Sequence, residues 1–531
     1  MDDLASRQGA AATKFKLNLT GAATVRNFAR ALASTPLHLS RVRQEGCAST
    51  SVRPTATVAA ALVLLTIVRL ALAASLPLAP DEAYYWVWSR ALAAGYFDHP
   101  PMVALWIRAG TWVVGDTVLG VRLLGPLSAA LGSLALWDAA NRLLPGGNAG
   151  LIAVLLVNAT VLVGAGAILA TPDSPLLFFW MLGLWAMARI IAGGSGAWWL
   201  AAGLFVGLAV ASKYTAVLLG LGIAMWLLVA GRAWLRRPAP YAGAALALAT
   251  VAPVLWWNAT HGWASFLRQG GRVGAWTPER APQYLAELLG GQMALATPLI
   301  FLLLIAGIAL AVRSAWHSRD PGWSLLAFLT MIPALVFVQH AFGDRVQANW
   351  PAIVYPAAAV AAAGLNGRFW QRLLFPAIAL GLLMTAAVYV QAAFAPLSLP
   401  AKRDPIALQT SGWKDLAAAV DLARRRSGAG FVAADNYGVA AELAWTLPRN
   451  IPVIAVGPRW SSFNLPAAEF DGIPGLLVEP AGRAAPAWSA ARPIGIAVRK
   501  QKGVVIRRYR LYRAVPDHAP SAAVLPRRAI D

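Results

Sequence analysis

The feature that most constrains this chain is a series of long apolar stretches separated by short polar loops. A helix needs about 20 mostly apolar residues to cross a bilayer, and roughly eleven stretches approach that length. We predict spans at 58–76, 119–143, 149–168, 174–192, 197–212, 214–231, 240–258, 291–312, 322–342, 347–364 and 372–394. The chain is therefore expected to fold as a polytopic α-helical membrane protein.

Composition supports this class and excludes others. Hydrophobic residues make up 58% of the 531 residues and charged residues 13%, whereas soluble domains carry roughly 25% charged residues. We attribute the net charge of +22 to arginines in short loops that face anionic lipid, and we do not expect nucleic-acid binding. The single cysteine, Cys47, excludes an internal disulfide framework and a cysteine-held metal cluster.

One apolar stretch decides the sidedness of all the loops. Residues 101–115 are only about 15 in number and carry Arg108 in the middle, so we interpret them as a helix along the membrane surface. Segment 83–94, rich in Tyr and Trp, is interpreted in the same way. If neither segment crosses the membrane, the loops whose charges are mainly arginine fall on one side and nearly all loop carboxylates fall on the other. Residues 1–57 hold eight Lys or Arg, so the positive-inside rule places them in the cytoplasm and the carboxylates in the periplasm.

The chain changes character near residue 396, where charges return and apolar runs shorten. Segments 431–434, 452–456 and 504–512 have the pattern of strands, and 412–426 that of a helix. No glycine-rich dinucleotide fingerprint is present, so no nucleotide is assigned. We predict a cytoplasmic, disordered basic extension (1–57), a transmembrane catalytic domain (58–395) and a small extracytoplasmic α/β domain with a loose tail (396–531).

Two adjacent acids, Asp81 and Glu82, follow the first predicted span. Carboxylates near hydrocarbon are costly unless they are solvated or paired, so they usually mark a functional site. Capping of the helix that follows would explain one acid better than two. We therefore interpret Asp81 and Glu82 as catalytic.

Further polar residues are expected on the same side of the membrane. Asp98 and His99 precede a Pro-Pro pair, and Asp173 lies between two spans. Each aspartate could instead cap the helix that follows it. His99 can bond a phosphate or a metal. Glu82, Asp98 and Asp173 are therefore candidate ligands of a divalent cation such as Mg²⁺, Mn²⁺ or Zn²⁺.

The cations of this side indicate a phosphate-bearing ligand. The candidate substrate-binding residues are Asp98, His99, Asp173, Lys213, Arg268, Arg272, Arg345 and Asn349. For Arg268 and Arg272 the alternative is snorkelling to lipid headgroups. No Ser/His/Asp triad, phosphate-cradling loop or HExxH zinc motif is present. The implied ligands are a phosphate carried by a lipid-soluble group and a second substrate with a hydroxyl.

Four segments carry a resemblance to a known family. They are PDEAYYWVWS at 80–89, GYFDHPPM at 95–102, TPDSP at 171–175 and DRVQANWP at 344–351. Residues 58–395 resemble the bacterial polyprenyl-phosphate-sugar-dependent glycosyltransferases of the GT-C fold. That group includes protein O-mannosyltransferases, the lipid A aminoarabinose transferase and rhizobial galacturonic acid transferases.

The resemblance implies two interfacial helices in the first outer loop, a catalytic carboxylate at Asp81 and an acidic-basic pair at Asp98–His99. Several relatives have lysine at the basic position, so histidine here shifts the expected phosphate contact toward Lys213 and Arg345. The implied reaction is inverting transfer of a sugar from a polyprenyl-phosphate donor to a hydroxyl of lipid A or another envelope glycan, in preference to a protein. It would take place on the periplasmic face of the inner membrane.

A lipid-sugar flippase or transporter is the alternative. That class predicts an inverted internal repeat and polar residues at mid-membrane. The sequence has no such repeat, and its charges cluster at one surface. An enzyme is therefore favoured.

Overall fold

A computed structural model describes residues 56–271, 276–400, 403–470, 472–482, 488, 491–515 and 522–528. All but the last two residues of the predicted extension 1–57 lie outside this range, as does Arg272. The helices before the C-terminal domain are α1 Ala56–Ser75, α2 Pro80–Arg90, α3 Met102–Val114, α4 Val118–Arg122, α5 Leu124–Leu143, α6 Ala149–Ala159, α7 Val161–Gly166, α8 Asp173–Ile191, α9 Trp198–Val210, α10 Val217–Val229, α11 Ala239–Thr260, α12 Ala264–Gly270, α13 Ala281–Ala296, α14 Pro298–Ser318, α15 Pro321–Ala341, α16 Tyr355–Ala363 and α17 Arg368–Phe394.

The apolar stretches form helices of two lengths. In the described part of the chain, seven helices are long and apolar enough to cross a membrane, which confirms the polytopic class. Four other predicted spans form shorter apolar helices, among them α6, α9 and α10. One boundary differs clearly: Thr297, with a φ of 70°, separates α13 from α14. The span predicted at 291–312 therefore begins at Pro298.

The first outer loop has the predicted arrangement of helices. Arg122, at the end of α4, donates to the carbonyl oxygens of Ala73 and Leu76 at 3.2 and 2.7 Å. The end of α1 and the start of α5 therefore meet at one surface of the helical bundle. The chain between them, including α2 and α3, begins and ends at that surface and does not cross.

Turns that carry arginine lie at the helix ends away from the surface where α1 ends and α5 begins. Helix α8 begins at Asp173 and ends beside Arg189, which pairs with Asp138 at 2.9 Å. At a rise of about 1.5 Å per residue, its 19 residues separate the two ends by nearly 30 Å. Asp173 and Arg189, which the sequence analysis assigned to opposite sides of the membrane, therefore lie near opposite ends of this helix.

The C-terminal domain is a mixed sheet with helices on one face. Its helices are α18 Pro405–Thr410, α19 Trp413–Arg426 and α20 Tyr437–Thr446, and its strands are β1 Phe431–Ala434, β2 Val453–Val456, β3 Gly475–Pro480, β4 Arg492–Gln501, β5 Val504–Ala514 and β6 Ala522–Val524. The strand order is β4-β5-β3-β1-β2-β6. β1 pairs in parallel with β2, where Val432 lies opposite Val453, and with β3. The other pairs are antiparallel.

Helix α2 is buried between the membrane part and this domain. Tyr84, Trp86 and Trp88 are at most 1% exposed and share one hydrophobic core with residues of β1, β2 and α20. Trp86 packs edge-on against Trp445, with ring centroids 5.0 Å apart. The aromatic side chains of the surface helix α2 are therefore covered by protein. The periodicity of the run could not reveal its burial, because the covering residues lie about 350 positions later in the chain.

We expect Gly203→Ala to destabilise the packing of α9 on α11. A Cβ at Gly203 would lie 1.9 Å from the carbonyl oxygen of Gly243, so the two backbones would have to move apart. Overpacking of this kind costs about 1–3 kcal/mol. The midpoint of thermal unfolding in detergent should fall. Gly220→Ala in α10 is the matched control, because its Cβ would meet only a Val206 methyl at 3.4 Å. Equal midpoints for the two variants would contradict the close approach.

Candidate active site

The start of α2 presents its two acids in different directions. Pro80 occupies the first turn, where its missing N–H costs nothing, and acids are favoured there by the helix dipole. Consecutive helix residues are about 100° apart around the axis. Asp81 therefore faces a water-accessible cavity, while Glu82, 1% exposed, points into the protein.

Glu82 forms a fully buried ion pair with Arg122. The Arg122 Nε and Nη2 atoms donate to the two carboxylate oxygens at 2.7 and 2.5 Å. Glu82 also accepts from the backbone N–H groups of Ala79 and Ala170, at 2.9 and 2.8 Å. The carboxylate oxygens of Glu82 thus accept hydrogen bonds from three chain segments, at Ala79, Arg122 and Ala170. The structure gives Glu82 a positioning role and keeps it out of the cavity.

A polar cavity of about 250 Å³ brings together residues that are far apart in the sequence. We call it the polar cavity. Most of its charged and hydrogen-bonding lining residues were predicted: Asp81, Asp98, His99, Asp173, Lys213, Arg268 and Asn349. The lining also includes Tyr84, Tyr85, Tyr437 and Arg459. Four predicted segments from separate loops thus converge on one surface.

Asp81 differs from the other carboxylates of the cavity in having no cation bonded to it among the described residues. Its Oδ1 accepts a hydrogen bond from the Tyr437 hydroxyl at 2.8 Å. Water can reach the side chain, but protein surrounds the cavity, and this desolvation raises the pKa of Asp81 above its usual 3.8. The Tyr437 hydrogen bond opposes that shift, while the negative charges of Asp98 and Glu82 add to it. A carboxylate with a raised pKa and no partner cation is suited to accept a proton.

Asp98 is surrounded by donors. Arg459 Nη1 lies 2.5 Å from Oδ2, the Tyr84 hydroxyl donates to the same oxygen at 3.0 Å, and Arg268 Nε is 3.7 Å from Oδ1. Two guanidinium groups therefore face one carboxylate. His99, the neighbour of Asp98, lines the cavity with its ring 6.4 Å from that of Tyr85.

Asp173 is held by Lys213 and Asn349. Lys213 Nζ lies 2.7 Å from Oδ1, and Asn349 Nδ2 donates to Oδ2 at 2.7 Å. An apolar cavity of about 320 Å³ adjoins the polar cavity here, sharing Asp173 and Asn349 in its lining. A second one, of about 180 Å³, adjoins it at Lys213 and His99. The site therefore combines charged groups with neighbouring space for hydrocarbon.

Among the described residues, Arg345 is a second predicted site residue, after Glu82, that lies outside the polar cavity. Arg345 is 63% exposed and pairs with Glu287 at 2.8 Å, away from the lining. Arg272 cannot be assigned a place, because it lies outside the described residues. Arg345 lies in an irregular stretch at 345–347, four residues before Asn349, which lines the site.

The predicted metal site is not formed in the described part of the chain. There, no three His, Cys, Asp or Glu side chains are grouped so that they could hold a metal ion. Glu82 is turned toward Arg122, and Asp98 and Asp173 each have a cation as partner. The donors therefore do not fit a divalent cation held by these three residues.

The sequence interpretation missed Tyr437 and Arg459, which come from the C-terminal domain. Each follows the carboxyl end of a buried parallel strand: Tyr437 comes three residues after β1, and Arg459 three residues after β2. Open α/β sheets place their ligand loops at these ends. The signal was therefore present in the predicted strands 431–434 and 452–456, but the sequence alone did not show that this edge faces Asp81.

Comparison with known proteins agrees with this architecture. Residues 98–257 match the family described as dolichyl-phosphate-mannose-protein mannosyltransferase. The chain is 26% identical over 375 residues to the lipid A galacturonosyltransferase RgtD of Rhizobium johnstonii, covering 69% of this chain and 77% of that protein. ArnT from Cupriavidus metallidurans bound to undecaprenyl phosphate superposes with a TM-score of 0.60 and 15% identity over 86% of this chain and 98% of ArnT. Its apo form gives a TM-score of 0.55 at 16% identity. The protein is a glycosyltransferase with the GT-C fold.

We expect loss of either partner of the Glu82–Arg122 pair to destabilise the protein strongly. Arg122→Met or Glu82→Gln leaves the other charge buried without its partner, which costs about 3–5 kcal/mol. The double variant should lose less than the sum of the single variants, as thermal unfolding in detergent can measure. Arg425→Met is the control and should cost no more than about 1 kcal/mol, because Arg425 is exposed and Asp421 keeps its second partner, Arg424. Additive losses would show that the pair is not coupled.

Proposed function

We propose that this GT-C glycosyltransferase moves a sugar from a polyprenyl-phosphate donor to a hydroxyl group of a lipid A-type glycolipid. The observation that carries the proposal is the polar cavity, where an unpaired carboxylate, Asp81, faces a cluster of cations across a space of sugar size. The names of two similar proteins support the substrates: RgtD is a lipid A transferase, and ArnT was solved with undecaprenyl phosphate.

The donor phosphate is assigned to the side of the cavity that holds Lys213. Lys213 lines both the polar cavity and the adjoining apolar one, so a phosphate beside it can carry its hydrocarbon chain into apolar space. Arg268 supplies a second positive charge in the lining. Cations placed where negative charge develops stabilise the leaving phosphate as the glycosidic bond breaks.

Asp81 is the proposed general base. The acceptor hydroxyl oxygen forms a bond to the anomeric carbon while the bond from that carbon to the phosphate oxygen breaks. The phosphate leaves with the bonding electrons, and the hydroxyl proton passes to Asp81. Because attack occurs on the face opposite the leaving group, configuration at the anomeric carbon is inverted. Desolvation makes the Asp81 carboxylate a stronger base than an ordinary aspartate.

The reaction is assigned to the periplasmic face of the inner membrane. Arg189 and the arginine-rich turn at 232–237 lie at the helix ends opposite the polar cavity. Short loops rich in arginine remain in the cytoplasm. The polar cavity and the C-terminal domain then face the periplasm.

We expect Asp81→Asn to lower the transfer rate about 10²- to 10⁴-fold, the usual contribution of a general base. The asparagine keeps the size of the side chain and its contact with Tyr437. Transfer from a polyprenyl-phosphate sugar to lipid A in one detergent phase is the measurement. Asp415→Asn, at an exposed position of α19, is the control and should retain wild-type turnover. Wild-type turnover in Asp81→Asn would remove Asp81 from this role.

We expect Tyr437→Phe to move the acidic limb of the pH profile to higher pH. Transfer requires ionised Asp81, so its rate falls as the pH is lowered through the pKa of Asp81. The Tyr437 hydroxyl stabilises the ionised form and lowers that pKa. Removing the hydroxyl raises the pKa, so activity is lost at a higher pH. The dependence of kcat on pH for the two proteins checks this, and an unmoved limb would contradict the assignment.

A further inference from the structure

The hairpin of β4 and β5 carries a concentrated positive charge. Between residues 492 and 514 the chain has eight Lys or Arg and no Asp or Glu. Seven of the eight side chains, all except that of Arg499, are exposed. None of these seven takes part in an ion pair with a described residue. The charge of the hairpin is therefore not neutralised by ion pairs within the described part of the protein.

The neighbouring elements leave this charge in excess. Their described carboxylates are Glu479 in β3, Asp404 before α18, and Asp415 and Asp421 in α19. Asp421 pairs with two arginines of its own helix, and Glu479 and Asp404 are each 2% exposed. Even with all four ionised, the eight cations of the hairpin outnumber them, and α19 adds Lys414 and three arginines.

The turn of the hairpin rests on the end of the last predicted span. Lys502, between β4 and β5, donates to the carbonyl oxygens of Phe394 and Ala395, each at 2.8 Å. Phe394 is the last residue of α17 and is 71% exposed. Most of α17 is not buried in the protein, so lipid must cover it. The turn therefore lies where a lipid-facing span leaves the bilayer.

The sheet is oriented with this turn toward the membrane part. Pro480, at the carboxyl end of β3, lies opposite Tyr509 in β5, which begins at Val504. At about 3.3 Å per residue, the turn projects about 15 Å past the end of β3. β1 is parallel to β3, and Tyr437 follows β1 into the polar cavity. The turn and the cavity loops thus leave the same edge of the sheet.

We propose that the membrane end of this hairpin, formed by Lys500, Val505, Arg507 and Arg508, binds the phosphate groups of anionic phospholipids in the leaflet where α17 ends. All four residues are exposed and lie no more than five residues from Gly503 in the turn. Guanidinium groups make strong, often bidentate hydrogen bonds to phosphate. Lys and Arg beside an anionic leaflet are also attracted by its surface potential.

The position of the turn favours a lipid surface over a soluble polyanion. Lys502 ties the turn to the end of a span, and Val505, 37% exposed, adds an apolar contact beside the cations. Binding at this place holds the sheet edge that carries Tyr437 and Arg459 against the membrane part. The inference goes beyond the proposed function and depends on neither the sugar donor nor the acceptor.

The test measures which lipid lies next to the turn. The full chain with Cys47→Ser carries one bimane dye on Gln501→Cys and is reconstituted into vesicles of phosphatidylcholine mixed with an equal amount of phosphatidylglycerol. In parallel samples, one lipid or the other carries bromine atoms high on its acyl chains, which quench the dye on contact. Brominated phosphatidylglycerol should quench about fivefold more strongly, the gain from one cation near an anionic surface. The ratio should fall as salt is raised.

Charge removal at the two ends of the hairpin provides the matched comparison. Lys500→Gln combined with Arg507→Gln and Arg508→Gln should make quenching by the two lipids nearly equal. The control removes the same charge farther from the turn, in Arg492→Gln combined with Arg510→Gln and Arg513→Gln. Residue 492 lies about 26 Å along β4 from residue 500, so the control should keep the ratio of the protein with the native hairpin.

Four outcomes would overturn the inference. Equal quenching by both lipids in the protein with the native hairpin would show no selection of anionic headgroups. Absence of quenching by either lipid would show that the turn stays clear of the bilayer and that its charge serves a soluble polyanion. An equal loss in the two triple variants would show that the position of the charge does not matter. A ratio that salt does not change would have the same weight if the first triple variant fails to fold. None of these readouts uses transfer activity, so they are independent of the proposed function.

Discussion

The buried ion pair between Glu82 and Arg122 is the contact on which the active site depends. Arg122 has five N–H groups, and all of them are used: two on Glu82 and three on carbonyl oxygens at the end of α1 and in the turn after it. Glu82 in turn holds the backbone of Ala79 and Ala170. One pair therefore ties the first span, helix α2, the start of the second span and the loop before Asp173. Asp81 is placed by this arrangement, because it is the adjacent residue of the same helical turn.

The three carboxylates of the polar cavity have different partners, and this difference separates their roles. Asp173 pairs with Lys213, and Asp98 with two arginines. Each of these carboxylates lowers the cost of burying cations that can then meet a phosphate. Asp81 has the Tyr437 hydroxyl as its bonded partner. Desolvation raises the pKa of Asp81, so this carboxylate is a stronger base than an ordinary aspartate.

The sequence was sufficient for the features that depend on local pattern. Apolar length gave the spans, and the short stretch with Arg108 gave the surface helix. The positions of Asp98, Asp173 and Lys213 in loops on one side predicted their meeting. Features that depend on long-range packing were not accessible. Nothing in the local sequence distinguishes Asp81 from Glu82, whose partner lies 40 residues later. The burial of the α2 aromatics also depends on a domain whose orientation no periodicity reveals.

The active site is divided between two domains. The proposed base, Asp81, lies in the first turn of α2, and the cations assigned to the phosphate, Lys213 and Arg268, also belong to the membrane part. Tyr437 and Arg459 belong to loops that follow β1 and β2, and such loops change without disturbing the strands that carry them. A new residue at position 459 would alter the charge beside Asp98 while leaving Lys213 and Asp81 in place. The groups assigned to the transfer chemistry and those contributed by the C-terminal domain are therefore separable in this architecture.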